Sequence, residues 1–164
     1  RTTLRLGSAT DTYDCEGKVI ETSSYIPSIE EIEGVLHCFQ GDISQIPPMF
    51  SAKKIGGVRL YDLARNGKEV ERKPISVRVS IQLIEYEYPY LSLHVHCSKG
   101  TYIRTLGHDI GKQLGCYAHL EHLRRTRSGP LSIEDAFPLD TLTKENIQSH
   151  LITVYPLCFT NRSS

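Results

Sequence analysis

Several common sequence features are missing from this chain of 164 residues. It has no apolar run near the roughly 18 residues that a membrane-spanning helix needs, and no apolar segment like that of a signal peptide follows Arg1. Its 5 cysteines are an odd number without a C-x-x-C pair, which argues against a disulfide framework and a cysteine zinc site. These absences predict a cytoplasmic protein with reduced thiols and no membrane attachment.

The chain also lacks the short motifs of several large enzyme classes. It contains no G-x-S-x-G, no Walker A loop and no G-x-G-x-x-G, so serine-hydrolase and nucleotide-cofactor chemistry have no support. Two pairs of histidines, His94 with His96 and His119 with His122, could suggest a zinc site. Neither pair has a clear third and fourth ligand, and the sequence has no H-E-x-x-H helix. We therefore expect no metal and no cofactor.

Net charge is absent as well, because 19 basic and 19 acidic side chains cancel. These charges are distributed unevenly: residues 1–50 carry 3 basic and 8 acidic side chains, 51–73 carry 7 and 3, and 98–129 carry 6 and 2. Two basic segments on a neutral chain fit either an ordinary solvated surface or a surface that meets a polyanion.

Hydrophobic periodicity predicts an α+β protein with a single domain. Alternating apolar residues predict strands at 3–6, 18–22, 74–88, 91–95 and 118–127. The first two strands should form a hairpin across the polar turn 10–17. Residues 132–164 are expected to form a short C-terminal tail.

Helical periodicity and capping residues predict three helices, at 29–39, 59–66 and 102–114. The first opens with a capping box of Ser28 and Glu31, and its apolar face begins at Ile29. The third is expected to be capped by Thr101. Residues 42–58 contain two prolines and two adjacent glycines, so we expect an exposed loop there.

The clearest sign of chemistry lies between Cys97 and Gly107, where a strand end, a Lys-Gly-Thr turn and a helix N-terminus follow one another. A helix N-terminus attracts anions, and Lys99 and Arg104 add positive charge. Arg104 can form a bidentate pair with a carboxylate, in a structural or a catalytic role. The two carboxylates of the turn 10–14 could serve a metal or acid–base site, although such side chains more often close their own turn.

Four segments together resemble the TruB family of tRNA pseudouridine synthases. They are Leu4–Gly7 with Thr10–Asp14 and Gly17; Phe39–Gly41 with Gln45–Lys54; Cys97–Leu106; and Leu123–Gly129. The resemblance implies a pseudouridine-synthase-like mixed, largely antiparallel sheet with flanking helices. It further implies isomerisation of a T-loop uridine of tRNA, uridine 55, by base flipping and an aspartate nucleophile. An RNA-binding or scaffold role in a guide-RNA-dependent pseudouridylase of the same superfamily is the alternative.

The resemblance also implies roles for single residues. Arg104 matches the arginine that pairs with the nucleophile, Tyr102 the aromatic residue beside the base, Leu123 an apolar wall of the pocket and Asp14 a polar neighbour. Residues 42–70 match a mobile, thumb-like loop that clamps the T arm of tRNA. The basic residues expected to contact RNA are Lys53, Lys54, Arg59, Lys99 and Arg124. We expect the protein to act as a monomer.

One departure from the family pattern concerns the nucleophile. The family's Gly-x-Leu-Asp-Pro-x-Ala segment does not occur in these 164 residues, and Asp140 lacks its glycine and proline neighbours. A second pocket tyrosine of the family is missing too. We therefore expect the sequence to be the later part of a TruB-like catalytic domain, inactive by itself and without a PUA domain.

Overall fold

The structure, a computed structural model, describes residues 1–51, 54–55, 58–59, 61 and 70–151. The chain forms two compact units, Arg1–Arg124 and Arg125–Ser164. No helix among the described residues is long and apolar enough to cross a membrane. That the chain works as one domain, with an RNA-clamping insertion at 42–70, stays a prediction.

The first unit combines strands and helices, which confirms the α+β prediction. Its strands in chain order are β1 (Thr2–Leu6), β2 (Ser8–Thr10), β3 (Val19–Thr22), β4 (Gly41–Gln45), β5 (Lys54–Ile55), β6 (Val58–Arg59), β7 (Ile75–Glu87), β8 (Tyr90–Cys97) and β9 (Ala118–Leu123). The helices described in this unit are α1 (Ile29–Cys38) and α2 (Ile103–Gln113). Strands β4, β7, β8, β1 and β9 form, in that order, an antiparallel sheet.

The hydrophobic core lies on one face of this sheet. Alternate residues of the central strands are buried, as the period of two requires. Both helices add an apolar stripe to the same cluster, so they cover that face. The fully buried members include Leu4, Leu6, Ile32, Val79, Leu91, Leu93, Leu106 and Ile110.

The predicted hairpin of 3–6 with 18–22 is wrong. Strand β3 pairs with β2, with Ser8 opposite Thr22, while β1 lies inside the large sheet. Gly7 has φ of 94°, in the left-handed region, and turns the chain away from the sheet between β1 and β2. The hairpin therefore begins one short strand later than the sequence pattern indicated.

The predicted exposed loop at 42–58 is also wrong in its first half. Residues 41–45 form the edge strand β4, with Ile43 opposite Val77 of β7. Ile43 is the one apolar residue of β4, so the strand shows no apolar alternation in the sequence. Its exposed residue Asp42 pairs with Arg78, Nη2 to Oδ2 at 2.7 Å. The four residues Gln45, Pro47, Pro48 and Ser51 are buried, while 52–53 and 56–57 lie outside the described residues.

Helix α1 confirms the prediction for 29–39, including the reciprocal hydrogen bonds of the capping box, although Ile29 is exposed rather than inward. Helix α2 begins at Ile103, and its expected cap is wrong, because the Thr101 hydroxyl donates to the Ser98 carbonyl at 2.8 Å. The predicted helix at 59–66 cannot begin at Arg59, which lies in β6. Most of that helix lies outside the described residues.

The strand predicted at 118–127 ends at Leu123, because its partner β1 begins at Thr2 and has no further residues with which β9 could pair. The second unit holds a separate hairpin of β10 (Arg127–Ser128) and β11 (Leu131–Ser132). Short 3₁₀ turns follow at Ile133–Asp135, Leu139–Thr141 and Ile147–His150. Residues 152–164 of the predicted tail lie outside the described part of the chain.

Helix α2 approaches β9 so closely that only glycine fits at one position. A Cβ atom at Gly111 would lie 2.2 Å from the backbone nitrogen of Ala118. We expect Gly111→Ala to lower the free energy of unfolding by about 3 kcal/mol or more, because the backbone must shift. Urea denaturation with a matched change at Gly34 checks this.

Gly34 lies in α1, and an added Cβ would meet no atom within 4 Å. Gly34→Ala should therefore raise the free energy of unfolding by up to about 1 kcal/mol, as alanine does in a helix. Equal unfolding midpoints for the two variants would show that the contact between α2 and β9 is looser than the structure indicates.

Candidate functional site

The site is organised around Arg104, in the first turn of α2. Its Nη1 donates to Asp14 Oδ2 at 2.8 Å and to the Thr12 carbonyl at 3.4 Å. Its Nη2 donates to the Phe50 carbonyl at 2.6 Å. The arrangement differs from the bidentate pair that the sequence suggested, since the two ends of the guanidinium bind different segments. Arg104 therefore joins three parts of the chain at one point.

Asp14 is held from several sides. Its Oδ1 accepts hydrogen bonds from the Thr12 hydroxyl at 2.7 Å and from the Glu16 N–H at 3.2 Å, while Oδ2 accepts from Arg104. Its backbone neighbours are bonded to β9, because the Leu120 N–H donates to the Tyr13 carbonyl at 2.9 Å. The carboxylate thus has a defined place at the edge of the sheet.

The two carboxylates of the turn 10–14 have different partners, and that of Asp11 is structural. Asp11 closes the turn, because its Oδ1 accepts from the Lys18 N–H at 2.8 Å. The Thr10 hydroxyl donates to the Asp14 carbonyl at 2.7 Å. The described residues contain no group of three or more side chains able to hold a metal ion. The carboxylate of Asp14, by contrast, is directed at Arg104.

Tyr102 is the N-cap residue of α2 and has no side-chain cap of its own. The amide of Gln45 binds its backbone instead: Gln45 Nε2 donates to the Tyr102 carbonyl at 3.0 Å, and the Tyr102 N–H donates to Gln45 Oε1 at 2.8 Å. Gln45 is almost fully buried, at 1% exposure. Gln45 opens one of the four segments that resemble the TruB family, but nothing in the sequence predicted this role for it.

A stacked pair flanks Arg104 and was also missed. His108 lies one helical turn after Arg104, and its ring stacks on Tyr13 with centroids 4.0 Å apart. Burial lowers the pKa of His108, and the nearby Lys112 lowers it further. A neutral ring is the form that suits this stack. The spacing of four residues on one helix face was the available signal.

Family matches cover nearly the whole chain. The TruB family pseudouridylate synthase N-terminal domain matches residues 1–103, and the tRNA pseudouridylate synthase B C-terminal domain matches residues 104–153. The chain belongs to the TruB family. The family resemblance inferred from the four sequence segments is thereby confirmed.

Relatives of this TruB chain agree with that assignment. The tRNA pseudouridine synthase B of Protochlamydia amoebophila is 49% identical over 148 residues, which are 90% of this chain and 56% of the relative. That of Chlamydia felis is 55% identical over 129 residues, 79% of this chain and 55% of the relative. The Clostridium novyi protein of the same name is 45% identical over 154 residues, which are 93% of this chain and 53% of the relative. The chain thus spans about half the length of the relatives it matches.

Two solved structures resemble the fold. A chain of a Cbf5-Nop10-Gar1 complex matches with a TM-score of 0.55 and 31% identity, covering 84% of this chain and 33% of that chain. A chain of an H/ACA RNP bound to a substrate RNA containing 2'-deoxyuridine matches with a TM-score of 0.50 and 27% identity, covering 84% and 31%. They confirm the predicted pseudouridine-synthase-like fold.

Leu123, which the TruB resemblance places in the pocket wall, lies on a different element from Arg104. Leu123 stands at the end of β9, opposite Thr2, and is 56% exposed. It lies three residues beyond Leu120, the residue bridged to Asp14, which is about 10 Å along a strand. Leu123 lines an open groove of about 780 Å³ together with His94, His122 and Arg124.

The basic residues expected to contact RNA are only partly described. Lys99 is exposed in the turn that leads into α2, and Arg124 is exposed just after β9. Lys54 and Arg59 face each other in the backbone register of β5 and β6. Lys53 lies outside the described residues. Their contacts with RNA stay predictions.

Proposed function

We propose that the whole protein carrying this chain is a tRNA pseudouridine synthase that isomerises a uridine in the T loop of tRNA. One observation carries the proposal. Three of the four segments that resemble the TruB family, those containing Asp14, Phe50 and Arg104, meet at a single guanidinium. An active site needs functional groups from distant segments within hydrogen-bond reach of one another, as they are at this guanidinium.

The role of Arg104 follows from its donors. A guanidinium has five N–H groups, and the contacts with Thr12, Asp14 and Phe50 account for three. Arg104 can therefore hold a second carboxylate while staying bonded to Asp14 and Phe50. In the proposed reaction that second carboxylate is the aspartate nucleophile, which these 164 residues do not contain. Asp14 and Phe50 then orient the arginine for it.

The remaining assignments complete the proposal. Tyr102 lies beside the flipped base, and Leu123 forms an apolar wall that becomes covered when RNA binds. The segment 42–70 clamps the T arm of tRNA, and the protein acts as a monomer. Exposed Lys99 and Arg124 bind phosphates, since such contacts position the RNA without reading its sequence.

The test uses the whole protein and an unmodified tRNA transcript, with no guide RNA. Mass spectrometry of nuclease fragments should show one new pseudouridine, located in the T loop. A transcript with cytidine in place of the T-loop uridine is the control and should stay unmodified. A product that forms only when a guide RNA is added would support the scaffold alternative, and no product under either condition would refute the proposal.

The phosphate contacts lead to a prediction about salt. In the whole protein, Lys99→Ala and Arg124→Ala should each weaken tRNA binding and reduce the slope of log K against log salt by about 1, because each removes one phosphate contact. Single-turnover rates at saturating tRNA should change little. Binding titrations at several salt concentrations measure the slope.

Lys18→Ala is the matched control. Lys18 is also exposed but lies in the acidic segment 1–50, and we expect its removal to leave the slope unchanged. If the Lys99 and Arg124 variants keep the slope of the unaltered protein, these two side chains do not contact the RNA.

A further inference from the structure

The start of α2 depends on a side chain from a distant strand. Tyr102, its N-cap residue, makes no side-chain cap hydrogen bond, and the preceding Thr101 bonds back to Ser98. The two hydrogen bonds between Gln45 and Tyr102 fix both backbone polar groups of Tyr102. Two hydrogen bonds to the same residue fix the orientation of the Tyr102 backbone as well as its position. From β4, Gln45 thus satisfies the N–H of the N-cap residue, as the glutamate of a capping box does from within a helix.

Gln45 is itself held firmly. It is the last residue of β4 and pairs with Ile75 of β7 in the sheet register. Its side chain is 1% exposed, so water cannot replace the bonds to Tyr102 if they break. Buried polar groups left without partners cost about 1–3 kcal/mol. The link between sheet and helix is therefore rigid.

The segment that follows Gln45 returns to the same helix. Five residues later the Phe50 carbonyl accepts from Arg104 Nη2 at 2.6 Å. The segment 45–50 is thus bonded to α2 at both ends, at Tyr102 and at Arg104. A shift of Gln45 would move the helix start and the Phe50 carbonyl together, and with them the guanidinium.

We propose that Gln45 is a positioning residue for the isomerisation, which holds Tyr102 and Arg104 at the substrate by fixing the first turn of α2. The inference rests on the proposed function for its rate effects, but the geometry can be tested without activity. Misplacement of a reacting group by about 1 Å can lower a rate about 100-fold.

The experiment compares two glutamines with the same chemistry in the whole protein. Gln40 makes an equivalent pair of bonds, Nε2 to the Ile81 carbonyl at 2.6 Å and Oε1 from the Ile81 N–H at 3.0 Å. It binds the sheet rather than α2. We expect Gln45→Leu to lower the single-turnover rate at saturating tRNA about 10- to 100-fold with less than about 3-fold change in Kd. Gln40→Leu should leave the rate within about 3-fold.

A second variant covers the case in which Gln45→Leu fails to fold. Gln45→Glu keeps the acceptor for the Tyr102 N–H, but it can donate to the Tyr102 carbonyl only when protonated, and burial favours protonation. Its rate relative to the unaltered protein should therefore rise as pH falls from 8 to 6. A ratio that stays flat and well below one, or equal rate losses in the Gln40 and Gln45 variants, would overturn the proposal.

Amide hydrogen exchange separates this inference from the proposed function. The Leu106 N–H donates to the Tyr102 carbonyl at 3.0 Å and reports on the first turn of α2. Its exchange should become at least about 10-fold faster in the Gln45→Leu or Gln45→Glu variant and stay unchanged in Gln40→Leu. This result would support the positioning role even if the protein formed no pseudouridine. Unchanged exchange in both Gln45 variants would refute it.

Discussion

Replacing Arg104 with alanine in the whole protein should lower the single-turnover rate of pseudouridine formation by about 10²- to 10³-fold, while tRNA affinity changes less than about 3-fold. The reason is geometric. Arg104 joins Asp14 to Phe50 at the start of α2, and its free donors are the proposed partners of the nucleophile. Phosphate contacts elsewhere would keep the RNA bound. Rapid-quench rates and binding titrations measure the two quantities.

Lysine at this position is an informative second variant. Arg104→Lys keeps the positive charge, but one ammonium group cannot reach both Asp14 and Phe50 in the geometry of the guanidinium fork. We expect a loss close to that of alanine. Lys112→Ala, on the same helix but exposed, is the control and should leave the rate unchanged. If Arg104→Ala weakens binding as much as it slows the reaction, Arg104 is an RNA contact instead.

The 164 residues by themselves should form no pseudouridine at all. Covalent catalysis requires a nucleophile, and the family's Gly-x-Leu-Asp-Pro-x-Ala segment is absent from the sequence. Asp14 does not lie in such a segment, and its carboxylate is held in its own turn by Thr12 and Glu16, where it orients Arg104. A T-arm stem-loop incubated with the purified chain, beside the whole protein as positive control, gives the measurement. Turnover above background by the 164-residue chain would show that the active site has been misplaced.

Local sequence patterns predicted the parts of the fold that depend on local physics. Helix α1 has its cap, its apolar stripe and its end within eleven residues, and the structure agrees with the capping box formed by Ser28 and Glu31. The long strands β7 and β8 alternate because one face is buried. Strand β4 escaped prediction because its pairing with β7 depends on residues 30 to 38 positions away.

The site shows the same division. The family resemblance assigned roles to Asp14, Tyr102 and Arg104. The structure brings Asp14 into contact with Arg104, which is 90 positions away in the sequence. The roles of these residues stay predictions. No local pattern could have shown that Gln45, 57 positions from Tyr102, binds both backbone polar groups of the residue where α2 begins. The stack of Tyr13 on His108 depends on the same long-range folding.

The meeting of three segments at Arg104 has a consequence for biosynthesis. Ribosomes make the chain from its amino terminus, so Asp14 and Phe50 emerge long before the guanidinium that joins them. Contacts of such long sequence separation form slowly, because a large loop must close first. Until α2 has left the exit tunnel, the Asp14 carboxylate has only its neighbours Thr12 and Glu16. A nascent chain therefore cannot present the assembled cluster to tRNA before translation has passed this helix.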